Sequence, residues 1–275
     1  MNFELIKRVS PKPSGVVSEK GLTPLLKGSL IHACIDAAAE RKDWFKTFNE
    51  MLALPEYSAI EQLKPNQSGS RHHLHELLGK YMRKYTLPDD IDFKFLHSEV
   101  KLSKPMLPWL TAVGTLDKIG LRPDGSQVII DHKTSTQLSR FLEPSVAISD
   151  QFSLYTILAR ANGYAIENFI VDGICTDKTA YDKDENLFVR YETSRSEERL
   201  KDFETNFIKI AERIKFALES DSFIPNRGKA CNDFGKKCAF YDICAAQSAE
   251  IQLNIINNSF TSKPESATFK VIWEP

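Results

Sequence analysis

Gly114-Thr115-Leu116-Asp117 and Val128-Ile129-Ile130-Asp131-His132-Lys133 are the two runs whose pairing decides the fold. Arg122-Pro123-Asp124-Gly125 between them is a turn signal, and both flanks, 111–121 and 126–132, are rich in β-formers. A turn centred near Asp124 folds this stretch into a β-hairpin and sets Asp117 opposite Asp131, with Cβ atoms about 5 Å apart. Side chains alternate along a strand, so Lys133 projects on the same side as Asp131. Two carboxylates so placed repel unless a divalent cation lies between them. A solvated hairpin face with an ordinary ion pair is the plainer explanation. Against it, Val128-Ile129-Ile130 marks a buried strand, and such a strand rarely ends in two facing acids without a chemical reason.

Helical and strand signals surround the hairpin. Ser29 is placed to cap a helix through Leu30, Ile31, His32 and Ile35 to about Arg41. Trp44, Phe45, Phe48, Met51 and Leu52 share one face of a second helix, and Leu74, Leu77, Leu78, Tyr81 and Met82 one face of a third. Strand signals begin at Phe93 and run through Glu99 to Leu102 before the hairpin. A helix over 145–162 stops at Gly163, a strand covers Ile166 to Ile174, and a weaker one covers Leu187 to Tyr191. Ser194 with Glu197 forms a capping box for a long helix that carries Leu200, Phe203, Phe207, Ile210, Ile214 and Leu218 at helical spacing. The expected architecture is α/β: a central mixed β-sheet, its antiparallel hairpin carrying the candidate site, flanked by helices.

Bulk properties bound the possibilities. At 275 residues, 42% of them hydrophobic, the chain suits one α/β domain with insertions. We expect an irregular segment over 1–22, a domain over 23–246 with a helical insertion at about 42–90, a cysteine-bearing segment over 225–246, and a polar tail over 247–275 that serves as a docking arm or is partly disordered. No apolar run is long enough to span a membrane and the N-terminus lacks a signal-peptide core, so we expect a soluble cytoplasmic protein without a membrane partner. A net charge of −1 offers no bulk attraction for nucleic acid, which leaves local basic patches or metal ions to provide any. Five cysteines, an odd number, argue against a disulfide framework.

Four motifs occur in order: Gly28-Ser29-Leu30-Ile31-His32, Gly114-Thr115-Leu116-Asp117, Asp131-His132-Lys133-Thr134 and Gln151-Phe152-Ser153-Leu154-Tyr155. Together, over roughly residues 25–246, they resemble the RecB-type branch of the PD-(D/E)XK nuclease superfamily, which includes phage exonucleases and CRISPR-adaptation nucleases. The resemblance implies a restriction-endonuclease-like core and a Mg²⁺- or Mn²⁺-dependent nuclease. His32, Asp117, Asp131 and the backbone carbonyl of His132 would be its metal ligands. Lys133 would orient or deprotonate the attacking water, or neutralise charge on phosphate. Gln151 and Tyr155, one helical turn apart, would face the site and DNA, and Glu99 would be an auxiliary residue. Read without the family, His32 is a core histidine, Glu99 pairs with Lys101 or Lys118, and Gln151 with Tyr155 is an ordinary helix edge. Arg71-His72-His73 reads as a solvated helix start, and His132 acts through its backbone rather than its ring.

Cys231, Cys238 and Cys244 resemble the late cysteines that hold a [4Fe–4S] cluster in iron–sulfur members of the family. The fourth ligand is missing from its usual place before the His32 motif, and Cys34 is the early candidate. A cluster, a zinc site and buried free thiols all remain open, with no metal the foremost reading. The expected activity is exonucleolytic attack on duplex ends beside a single-strand annealing protein in phage-type recombination or repair, in a bacterial or phage-infected cytoplasm. The alternatives are a CRISPR-adaptation-type nuclease trimming single-stranded overhangs and a non-catalytic DNA-binding or assembly subunit on the same fold. Lys27, Lys229, Lys236 and Lys237 are candidate DNA contacts, and an oligomer is compatible with all of these readings.

Overall fold

The computed structural model describes residues 9–11, 24–65, 67–85, 90–136, 138, 145–177, 187–220, 222, 228–232 and 237–262. It divides into two compact units, one spanning Val17–Asn206 and the other combining Met1–Val16 with Phe207–Pro275.

The larger unit is an α/β layer structure. Its elements are α1 (Pro24–Ala39), α2 (Trp44–Leu52), a 3₁₀ helix (Pro55–Gln62), α3 (Arg71–Tyr85), β2 (Lys94–Leu107), β3 (Leu110–Leu121), β4 (Gln127–Ser135), α4 (Asp150–Ala161), β5 (Ile166–Cys175) and β6 (Phe188–Ser194), and the long helix α5 (Glu197–Glu219) begins in it. The strands form one five-stranded sheet in the order β2-β3-β4-β5-β6. The β4–β5 pairing is parallel and the others are antiparallel, which makes the sheet mixed. The expected α/β class and hairpin-bearing mixed sheet are thus what the chain adopts.

Helices cover both faces. Leu30, Ile31 and Ile35 of α1, Phe48 of α2 and Leu74, Leu77 and Leu78 of α3 share one core with Ile174 and Phe188 of the sheet. On the opposite face Phe152 of α4 stacks on Phe169 of β5, ring centroids 4.5 Å apart. Val128, Ile130, Phe93 and Ile170 form a smaller cluster at the centre of the sheet. The expected insertion therefore supplies helices to the principal core.

The hairpin register is the one the turn dictates. Lys118 pairs with Ile130, Ile119 with Ile129, Gly120 with Val128 and Leu121 with Gln127. Gly125 takes a φ of +86°, as a glycine turn requires, and Asp124 Oδ1 accepts the Ser126 N–H at 2.9 Å.

Several local expectations shift. Ser29 does not cap α1: the helix starts at Pro24, and Ser29 Oγ donates to the Leu25 carbonyl at 3.2 Å from within it. The cap of α5 is Ser196 rather than Ser194, because β6 continues through Ser194 and the Arg199 N–H reaches Ser196 Oγ at 3.3 Å. The apolar stripe along α5 is buried at Leu200 but solvent-exposed at Ile210 and Ile214.

The smaller unit holds the two-stranded pairing of β1 (Val9–Pro11) with β7 (Phe260–Ser262), helix α6 (Tyr241–Ala245) and helix α7 (Ala249–Ser259). Ile243, Ile256 and Phe260 form its apolar centre. Part of the region expected as a polar tail is therefore a helix and a strand, with Ser248 Oγ capping α7 by accepting the Ile251 N–H. Its Asn-rich outer face conceals from composition the Ile256 and Phe260 that anchor it. The remainder of the expected N-terminal segment and of the tail, 1–8, 12–22 and 263–275, lies outside the described residues.

Candidate active site

The hydrogen-bonded ladder between β3 and β4 runs as far as Lys118 and Ile130. One step beyond stand Asp117 and Asp131. There Asp117 Oδ2 accepts the main-chain N–H of His132 at 2.9 Å, so a carboxylate takes the place of a strand partner. Two close approaches bring helices to this spot. A Cβ on Gly28 of α1 would lie 3.2 Å from Thr134 Oγ1 of β4, and one on Gly114 of β3 would lie 2.9 Å from Leu158 Cδ1 and 3.3 Å from Tyr155 Cε1 of α4. Glycine at both positions lets α1 carry His32, and α4 carry Gln151 and Tyr155, against the hairpin.

The side chains then meet. His32 Nδ1 lies 3.6 Å from Asp117 Oδ2. Lys133 Nζ lies 2.8 Å from Asp131 Oδ2. That contact is an ion pair rather than an aligned hydrogen bond, since Oδ2 has no hydrogen-bond partner. Gln151 Nε2 donates to the Tyr155 hydroxyl at 2.9 Å and reaches Asp131 Oδ1 at 3.4 Å. All four motifs therefore converge on one site.

Burial sets the electrostatics. Asp131 is 1% exposed, and its carboxyl is pushed up to about 6 because burial penalises the charged form. Lys133 opposes the shift and Asp117 adds to it. Burial lowers the His32 imidazole, against the pull of Asp117 and Asp36, which favours the neutral, metal-binding form. It likewise raises the Tyr155 hydroxyl.

The donor set fits a hard divalent cation in kind: a neutral imidazole and two carboxylates, one of which, Asp131, has a buried oxygen that lacks a hydrogen bond. No three His, Cys, Asp or Glu side chains among the described residues stand close enough together to hold an ion in the present arrangement. Lys133 supplies the positive charge beside Asp131 instead.

Other expectations part from the structure. Glu99 lies in β2 between Ser98, which pairs with Lys118, and Val100, which pairs with Leu116, so the register sets it beside Asp117. Its φ of +49° is left-handed, a strained state for a residue with a Cβ. Burial, Asp36 and Asp117 all raise its carboxyl. Lys118 is not its ion-pair partner: the Lys118 ammonium is buried against Asp36 of α1. His73 of the Arg71-His72-His73 run is buried, and its Nδ1 accepts the Gly69 N–H at 2.9 Å. The pairing of His73 with an upstream turn is invisible to periodicity.

Cys34 is fully buried in the core of the larger unit, its thiol pushed up to about 12 by burial, and it is a packing residue there. Cys231, Cys238 and Cys244 belong to the smaller unit, and none of the five cysteines is in a disulfide. Of the candidate DNA-contacting lysines, Lys27 is half-buried with Nζ beside Gly69. Lys237 pairs with Asp242 at 2.6 Å over the Tyr241 ring. Lys229 is exposed, and Lys236 lies outside the described residues.

Two buried polar groups were not anticipated. One is the Lys118–Asp36 pair. The other is a network around the His132 ring, formed by Tyr81, Asp172 and Arg190. Asp172 had a visible signal: it is the lone acid in the apolar run Phe169-Ile170-Val171-Asp172-Gly173-Ile174.

The model of the PD-(D/E)XK nuclease superfamily matches residues 5–245. Among solved structures the chain is similar to a candidate exonuclease from Eubacterium rectale, at 14% identity, covering 85% of this chain and 82% of that one with a TM-score of 0.43. It is also similar to LHK-Exo in complex with dAMP, at 11% identity, covering 73% of this chain and 98% of that one with a TM-score of 0.34. No curated protein sequence matches. No helix among the described residues is long and apolar enough to cross a membrane.

Proposed function

We propose, from the premise that the chain belongs to the PD-(D/E)XK nuclease superfamily, that it is a deoxyribonuclease dependent on Mg²⁺ or Mn²⁺, working as an exonuclease at DNA ends in phage-type recombination or repair. The observation that carries this reading is the ion pair of half-exposed Lys133 with buried Asp131, set beside Asp117 and His32 and contacted by Gln151. Asp117, Asp131, His32 and the His132 carbonyl are the groups that would hold the ion. Bound there, it would polarise the scissile phosphate and acidify a water.

The protein's own groups do the rest. Lys133, 40% exposed beside a buried carboxylate, has one side free for a water or a phosphate oxygen while the other is held by Asp131. Gln151 keeps Asp131 oriented through Oδ1, and Tyr155 keeps Gln151 oriented in turn. The N–H of His132 keeps Asp117 turned into the site. Glu99, beside Asp117 in the register, adds negative charge for a cation to offset.

Duplex ends or single strands are the substrate class, a single-strand annealing protein is the partner such a role calls for, and the cytoplasm is the proposed place of action. The test is product mapping on 5′-labelled, 3′-labelled and covalently closed circular DNA with wild type and Asp131→Ala. Mononucleotides from linear DNA, intact circles and an inactive variant support the exonuclease. Nicked circles point to endonuclease action. Equal cleavage by wild type and variant removes this active site, and tight DNA binding without any cleavage points to a non-catalytic subunit.

A further inference from the structure

The ring of His132 turns to the face of β4 opposite Asp131 and Lys133 and is 1% exposed; its Nδ1 lies 4.0 Å from Asp117 Oδ2 and its ring meets that of His32 edge-on, centroids 5.7 Å apart. It begins a row that crosses three strands in register: His132 of β4 pairs with Asp172 of β5, which pairs with Arg190 of β6. Tyr81 of α3 lies over this row. Its hydroxyl donates to Asp172 Oδ2 at 2.5 Å and sits 3.2 Å from His132 Nε2. Arg190 donates to the same Oδ2 through Nε at 3.3 Å and Nη2 at 3.1 Å. Its other contacts are Asp90, at 2.7 and 2.8 Å, and Asp92, at 2.6 Å. The centre of the guanidinium lies 3.6 Å from the centroid of the Tyr85 ring.

This is a costly way to fill a core. Asp172 is 0% exposed and its Oδ1 has no hydrogen-bond partner, and apolar residues of similar volume pack a sheet face at lower cost. What the network secures is the orientation of one ring. Tyr81 has a single hydroxyl hydrogen, and Asp172 receives it. Toward His132 the Tyr81 oxygen therefore only accepts, and Nε2 must donate. The imidazole is held at one nitrogen by a partner that a charged pair fixes from behind. The backbone of that same residue supports the site, because its N–H holds Asp117 Oδ2 at 2.9 Å.

We propose that Tyr81, Asp172 and Arg190 are positioning residues that lock the His132 ring, and through it the peptide that orients Asp117, so that they set the metal affinity of the site without touching substrate or ion. The inference rests on the nuclease reading for the role of the metal.

The test uses the full chain as Tyr81→Phe, Asp172→Asn and, as control, Tyr85→Phe, which removes a hydroxyl from the neighbouring ring. Three quantities are measured: Mn²⁺ affinity by electron paramagnetic resonance of free Mn²⁺, the His132 tautomer from long-range ¹H–¹⁵N spectra of metal-free protein, and the unfolding midpoint. The wild type is expected to carry the ring proton on Nε2. Tyr81→Phe is expected to bind Mn²⁺ at least about tenfold more weakly at a near wild-type midpoint, and Tyr85→Phe within about twofold of wild type. Tyr81→Phe keeps the buried ring, so it carries the test even where Asp172→Asn fails to fold. Mn²⁺ affinity unmoved by Tyr81→Phe in an enzyme that cuts DNA overturns this inference and leaves the nuclease reading standing. A wild-type His132 proton on Nδ1 overturns it as well. A wild type that binds no Mn²⁺ overturns both.

Discussion

At the scale of single residues the site is governed by one buried carboxyl. Asp131 ionises near 6 rather than 3.8, chiefly because it is buried. In metal-free protein its native form thus holds a proton over a pH range where the unfolded chain has released it. Stability contributed by this group falls as pH rises from about 4 to about 6 and stays low above that. The cost at pH 8 is at most about 3 kcal/mol. Asp131→Asn removes it, so in chelator the variant should gain on wild type as pH rises from about 4 to about 6 and keep that gain to pH 8, as read by thermal unfolding. Added Mn²⁺ should stabilise wild type at pH 8 and leave the variant unmoved. Parallel pH profiles for the two proteins would show that Asp131 is not a strained charge.

At the scale of elements, close approach decides which helices reach the hairpin. Gly114→Ala places a methyl group 2.9 Å from Leu158 Cδ1, at the end of a buried side chain. The expected cost is about 1–2 kcal/mol of stability, with a larger loss of activity, because Gln151 and Tyr155 move with α4; activity falling only in step with stability would separate the glycine from the site. The cap of α5 gives a second test. Ser196→Ala should cost about 1 kcal/mol and Ser194→Ala almost nothing in denaturant unfolding, and the reverse order would restore the cap to Ser194. The same comparison shows what local patterns reveal. Turn chemistry at Asp124-Gly125 determined the hairpin register to the residue, because a strand slip would bury the wrong face. Helix starts shifted, as at Ser29 and Ser196, because several serines near a boundary satisfy the same rule and tertiary packing selects one. The Tyr81–Asp172–Arg190 network is hidden because its members come from three elements: strand register unites Asp172 with Arg190, and helix packing brings Tyr81 onto them.

At the scale of the whole molecule a net charge of −1 leaves little long-range attraction for DNA. Binding should then depend on a few local cations. Replacing exposed Lys229 with Ala should lower the slope of log affinity against log salt by about 1 if it contacts phosphate, whereas Lys237→Ala, whose ammonium is already held by Asp242, should leave it unchanged; equal slopes for both variants and wild type would place the phosphate contacts elsewhere. The family assignment spans residues 5–245, and the four motifs that converge on one hairpin all lie in the larger unit. The proposed activity turns on Lys133. The most direct measurement is the initial rate of acid-soluble nucleotide release from linear duplex DNA, for wild type and Lys133→Ala, in Mg²⁺, in Mn²⁺ and in chelator. Release that requires the metal and falls at least about 100-fold in the variant is the predicted result. Release that persists in chelator, or a variant within a few-fold of wild type, would contradict it.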